Sequence, residues 1–134
     1  MQNFRVKPSI PMAHSPEPSP GEMLRTVAVA RLLLPNVNIQ APPNLSAPYY
    51  EELIDAGIND WGGVSPLTPD YINPERPWPH LEELRLRTEA KGCSLRQRLP
   101  VYPEFLLALT SRPALLSEKL QAAVDGHGLA RRAA

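Results

Sequence analysis

VNIQAPPNLSAPYYEELIDAGINDWGGV, residues Val37 to Val64, reads as one strand–helix–strand unit. Val37-Asn38-Ile39-Gln40-Ala41 predicts a strand, which the Pro42-Pro43 pair breaks. Ser46 and Pro48 then open a helix with Tyr49, Tyr50, Leu53 and Ile54 on its apolar side, and Gly57 stands where a left-handed C-cap belongs. Ile58 to Val64 predicts the next strand. A strand that returns through a helix to a second strand implies parallel pairing with the helix outside.

The same alternation extends in both directions. Upstream, Asn3-Phe4-Arg5-Val6 alternates as a short strand, and five prolines between Pro8 and Pro20 predict an extended loop. Ser19-Pro20-Gly21-Glu22 carries a helix start, with Ser19 as cap, Pro20 at the first helical position and Glu22 completing a capping box. The helix is apolar at Leu24, Val27, Ala28 and Leu32, and Pro35 stops it. Downstream, Pro66, Pro69, Pro74, Pro77 and Pro79 mark a long loop. A helix follows over His80 to Lys91, with Leu81, Leu84 and Thr88 on one side, a Glu83–Arg87 pair and a terminal Gly92. Ser94 to Val101 predicts a fourth strand, and helical stretches at Glu104–Leu109 and Pro113–Val124 complete the chain. Four strand–helix units make this α/β, about four parallel strands with outer helices. A complete eight-unit barrel takes about 250 residues, so the chain would supply half of one. A small open parallel sheet, complete by itself, fits the pattern equally well.

Composition narrows the function classes. The chain has 134 residues, one domain's worth, with 14 basic and 14 acidic side chains. A formal net charge of zero gives no electrostatic reason to expect nucleic acid or an anionic membrane as a partner. The longest apolar run, Val27–Leu34, is interrupted by Arg31 and is far too short for a bilayer. No apolar segment of signal-peptide type follows Met1, so a cytoplasmic location is expected. Cys93 is the single cysteine, and one thiol makes no intrachain disulfide, zinc site or iron–sulfur cluster. His14, His80 and His127 lie far apart without metal-binding spacing. The 17 prolines punctuate periodic segments instead of forming a tract.

Chemistry-bearing residues gather after the predicted strands, where α/β proteins place their sites. Asp60 to Asp70, DWGGVSPLTPD, is the densest such stretch. Its paired glycines permit positive φ or close backbone approach; Trp61 could stack on a flat ring, while Ser65, Thr68 and Asp70 could bond polar edges. A strained strand-to-loop turn whose glycines serve packing accounts for it equally well. Gln40 and Asn44 flank the rigid Pro42-Pro43 kink, although a simple strand stop explains that kink too. Arg98 and Tyr102 flank the last strand, with Asn3 and Arg5 at the matching place on the first. The Pro16–Pro20 run suits a rigid lead-in to the helix better than a polyproline ligand.

Several of these stretches resemble one family. Gln2-Asn3-Phe4-Arg5-Val6-Lys7-Pro8 with Pro11-Met12 is similar to its strand-and-loop motif QNFRxKPxTPM, with Ile10 in place of the threonine. Val27 to Pro35 resembles the following helix in biotin-synthase-like radical-SAM enzymes. Ile39 to Leu45, Gly57 to Asp70, Asn73-Pro74-Glu75 and Pro77-Trp78-Pro79 resemble the radical-SAM FO (7,8-didemethyl-8-hydroxy-5-deazariboflavin) synthases. The resemblance runs from Gln2 to about Phe105. It is to the ring-closing subunit or domain, since the tyrosine-coupling sister tends to read threonine and an acidic pair where this chain has Val64-Ser65-Pro66.

The resemblance implies a C-terminal half of a TIM-type radical-SAM barrel over residues 1–134. It implies S-adenosylmethionine and a four-iron, four-sulfur cluster as cofactors of the intact enzyme. The reaction would be a carbon–nitrogen lyase step that closes the deazaflavin ring as ammonia leaves. Its substrate would be a tyrosine-derived ribityl-uracil adduct. Gln40 and Asn44 are then candidates for cofactor binding; Trp61, Ser65, Thr68, Asp70, Arg98 and Tyr102 for substrate binding. The family's three-cysteine cluster motif is absent, so Met1 is expected to begin a fragment that is inactive alone. Alternatives are a non-catalytic half-barrel that completes a separately encoded cluster-binding chain, and the tyrosine-coupling subunit. That subunit or a missing N-terminal half would be the protein partner.

Overall fold

The computed structural model describes residues 1–110 and 115–131. They form two compact units, Met1–Cys93 and Ser94–Ala134. The first holds helices α1 (Pro20–Leu33), α2 (Glu52–Ala56) and α3 (Leu81–Ala90), with a 3-10 turn at Pro43–Leu45. The second holds α4 (Pro103–Thr110) and α5 (Glu118–Ala123).

The α1 start forms as its residues dictate. Ser19 Oγ accepts from the Glu22 amide at 3.3 Å, and Glu22 Oε2 accepts from the Ser19 amide at 2.8 Å. The buried face of α1 is Met23 and Val27, and Val27 is wholly enclosed. Leu32 belongs to the predicted apolar face yet is 81% exposed, because only the first half of the helix lies against the core. Regular helix at α2 is shorter than Ser46–Gly57. Pro42, Pro43 and Pro48 supply no amide hydrogens, so residues 43–51 fold as successive turns before α2 begins. Even so, Tyr49, Tyr50 and Leu53 are buried, and α1 packs on α2.

Gly57 closes α2 at φ 113°, its amide donating to Ile54 O and Leu53 O. A Cβ there would stand 2.7 Å from Arg31 Cγ and 2.8 Å from Arg31 Cβ, too near the backbone end of that side chain to swing aside. Arg31 is itself a staple. Its Nε donates to Gly57 O at 2.8 Å, and its terminal nitrogens reach Pro35 O, Val37 O and Asn59 Oδ1. Gly57→Ala therefore combines left-handed strain with a steric conflict. A loss of about 2–4 kcal/mol is expected by chemical denaturation.

Among the described residues no regular ladder forms where strands are predicted. Residues 39–41 and 59–60 pair in parallel through a single Gln40–Asp60 bridge, with Asn59 N donating to Ile39 O and Ala41 N to Asp60 O. Pro42 and Pro43 end the first of these segments, and neither has an amide hydrogen with which to extend the pairing. Asn3–Val6 is fixed by side chains instead. Arg5 reaches Leu45 O and Glu17, and Glu17 also accepts from the Val6 amide at 2.8 Å.

α3 buries Leu84 and Thr88, and the expected Glu83–Arg87 pair closes at 2.8 Å. Arg87 also meets Glu51 at 3.1 Å and lies over the Tyr50 ring, 4.9 Å from its centroid. Burial pushes the Tyr50 hydroxyl up to about 12, against the opposing pull of Arg87.

In the second unit, Leu106, Leu116 and Val124 form the core, with Leu99 and Leu109 against it. Ser117 caps α5, and an isolated antiparallel bridge joins Val124 to Ala130. The expected Pro113 start of the last helix lies outside the described residues. Ala130 N donates to Gln97 O, the backbone contact made by the predicted fourth strand. No helix among the described residues is long and apolar enough to cross a membrane.

Candidate functional site

A shallow cleft of about 260 Å³ opens where the two paired segments end, lined by Gln40, Pro42, Trp61, Gly62 and Gly63 together with Met1 and Gln2. Two of the predicted site residues, Gln40 and Trp61, meet here. Trp61 is committed to packing: its Nε1 donates to Thr88 Oγ1 at 3.1 Å, and its ring stands edge-on to Tyr50 at 5.5 Å. At 8% exposure the ring has no free face for stacking.

A polar turn outside the cleft lining is built on two buried asparagines, Asn44 and Asn73. Asn44 Nδ2 donates to Asp70 Oδ2 at 2.9 Å and to Arg76 O at 3.0 Å, which commits both of its hydrogens. Asp70 also accepts from the Asn73 side chain and from the amides of Ile72 and Asn73. Burial raises the Asp70 carboxyl, but these hydrogen bonds outweigh it and hold the group below the usual carboxylate range. A depressed folded-state value means stability that is complete above the unfolded value and is lost as pH falls through the folded one. Asp70→Asn is thus expected to flatten the acid limb of stability below about pH 4, read as denaturation midpoint against pH.

Asn3 completes the turn from the other side, donating to Leu45 O at 2.8 Å. Three buried oxygens around it, Asn3 Oδ1, Asn44 Oδ1 and Ser46 Oγ, have no hydrogen-bond partner among the described residues. Asn44 thus offers a ligand only an acceptor.

The remaining candidates lie elsewhere. Ser65 Oγ accepts from Thr68 N at 3.0 Å and Thr68 Oγ1 at 2.7 Å, building a turn in which Thr68 is exposed. Arg98 and Tyr102 belong to the second unit, where the guanidinium lies 4.4 Å from the ring centroid. Three contributors were not among the candidates: Asn73 and Arg76 on the turn, and Glu17 paired with Arg5. A signal for Glu17 existed, since an arginine in a short strand needs an anion and the proline-rich lead-in holds one acid rigidly. The Val6 amide, and then Arg5, hold the Glu17 carboxyl below its ordinary value.

Comparison with known proteins decides the family. Over 131 residues, 98% of the chain, it is 53% identical to the 7,8-didemethyl-8-hydroxy-5-deazariboflavin synthase of Methanopyrus kandleri. It is 52% identical over 106 residues to the synthase so named in Methanothermobacter thermautotrophicus, and 54% identical over 107 residues to the FO synthase of Streptomyces coelicolor. The chain belongs to the FO synthase family. It spans 39%, 32% and 12% of the lengths of these three relatives, so it corresponds to a part of each. No family model matches the chain, and no solved structure does.

Among the described residues no group of three His, Cys, Asp or Glu side chains is placed to hold a metal, and Cys93 is exposed on the turn after α3. One thiolate does not suit an iron–sulfur cluster, which is held by several. This stretch of the FO synthase family does not fit that cluster by itself.

Proposed function

We propose that this chain supplies the C-terminal, cofactor- and substrate-facing half of a TIM-type radical-SAM barrel in an FO synthase. The reaction served is the carbon–nitrogen lyase step that closes the deazaflavin ring with release of ammonia, toward coenzyme F420. The observation that carries this reading is 53% identity over 98% of the chain to a protein whose length it covers to 39%. The cleft lined by Gln40, Pro42, Trp61, Gly62 and Gly63 is a suitable wall for a ligand with a polar edge. Its share of the work is binding, orientation and exclusion of water, since radical chemistry belongs to the cofactors.

Cluster ligands must then come from outside this stretch, and the chain alone is expected to be inactive. The test is co-expression with the remaining portion of the Methanopyrus kandleri synthase as a separate chain. The two chains are expected to co-purify and to form FO, detected by mass, only together. Iron–sulfur binding and FO formation by the isolated 134-residue chain would overturn the reading.

A further inference from the structure

The sides of α1 differ in what covers them. Met23 and Val27 are buried in the core. Arg31, about 60° round the helix from that face, donates to Gly57 O at the end of α2, and α1 packs on α2. Thr26, Val29 and Leu33 lie about 80–140° round the other way. Their spacing, i, i+3 and i+7, is the one with which a helix seats against another helix. Val29 is 54% exposed and Leu33 74%. Thr26 Oγ1 donates to Glu22 O at 2.7 Å, so the row asks for no polar partner. Leu32 is 81% exposed as well, but it stands about 160° from the core face and off this row.

We propose that the Thr26, Val29 and Leu33 row is a docking surface for an apolar helix face from the part of the FO synthase that lies outside this stretch. The chain spans 39% of the Methanopyrus kandleri synthase, so most of that protein's length is available to supply such a helix. In a barrel the outer helices follow one another round the ring in chain order. A helix with α2 on one flank therefore takes its other neighbour from the preceding half. This step rests on the half-barrel reading. A second copy of this chain would cover the same row without any further part of the synthase, and that case gives a different result below.

Leu33→Cys and Leu32→Cys are made in the 134-residue chain and in the Methanopyrus kandleri synthase carrying this chain in place of its matching stretch. Maleimide modification at each position is followed by peptide mass. In the isolated chain both introduced thiols are expected to react at similar rates. In the chimera Leu33→Cys should react at least about tenfold more slowly, since a covered thiol is reached only through local opening, while Leu32→Cys keeps its rate. Slow modification of Leu33→Cys in the isolated chain, relieved by dilution, would assign the row to a second copy and overturn the proposal. Equal rates at the two positions in a folded chimera would overturn it as well.

Should the chimera not melt cooperatively, co-expression of this chain with the remaining portion of the synthase carries the same comparison. Leu33→Asp is expected to abolish co-purification and Leu32→Asp to leave it, and equal behaviour of the two overturns the proposal. FO formation is read alongside. A slow Leu33→Cys in a folded chimera that forms no FO keeps the docking surface and removes the functional reading. FO formed while Leu33→Cys stays fully reactive removes the docking surface alone.

Discussion

Trp61→Ala is expected to lower the stability of the first unit by about 3–5 kcal/mol, the range for deleting a buried tryptophan. The residue is 8% exposed and joins three things at once. Its ring packs edge-on to Tyr50, its Nε1 bonds Thr88 on α3, and its backbone ends the segment paired with residues 39–41. Truncation removes the apolar contact, the edge-to-face geometry and the tie between the paired segments and α3. Thr88 Oγ1 still donates to Leu84 O, so the hydroxyl itself is not orphaned. For a unit of this size the midpoint of thermal unfolding should fall by roughly 15 °C or more. Trp61→Phe restores the ring without the hydrogen bond and should recover most of that fall. A drop below about 3 °C for the alanine variant would show that Trp61 is a cleft residue and not part of the core.

Asn44→Leu carries the second large effect. The exchange keeps volume and burial but deletes the bonds to Asp70 Oδ2 and Arg76 O. A bond to a charged group contributes about 1.5–3 kcal/mol and a neutral one about 1, so a loss of about 3 kcal/mol is expected by urea denaturation. Asp70 keeps its bonds from Asn73 and Ile72, which limits the damage to the turn. Ser65→Ala supplies the contrast. Its hydroxyl organises only a largely exposed turn, and its loss should cost under about 1 kcal/mol. Equal effects at the two positions would refute the division into buried network and surface turn.

Residues with strong local chemistry were legible in the sequence. Ser19 and Glu22 announce their capping box, Gly57 its left-handed cap, and Glu83 and Arg87 their pair, because each needs only neighbours three or four places away. What depends on distant chain was not. The period of α1 marks Leu32 as a core residue, but which half of a helix is covered depends on what packs there. The strand pattern marks the two segments that meet at the Gln40–Asp60 bridge but not how little of a ladder they form. At the site, sequence position brings Gln40 to Trp61 and Asn44 to Asp70. It does not show that the Trp61 ring faces Tyr50, or that both Asn44 hydrogens are committed. Nor does it show that Arg98 and Tyr102 pair with each other in a separate unit. The half-barrel stays an inference from the strand–helix order and the family resemblance.

One measurement bears most directly on the central claim: FO formation by the Methanopyrus kandleri synthase carrying this chain in place of its matching stretch. FO of the correct mass is expected, and is lost when the replaced stretch is left out. A folded chimera that forms none would contradict the assignment of this chain as a working part of an FO synthase.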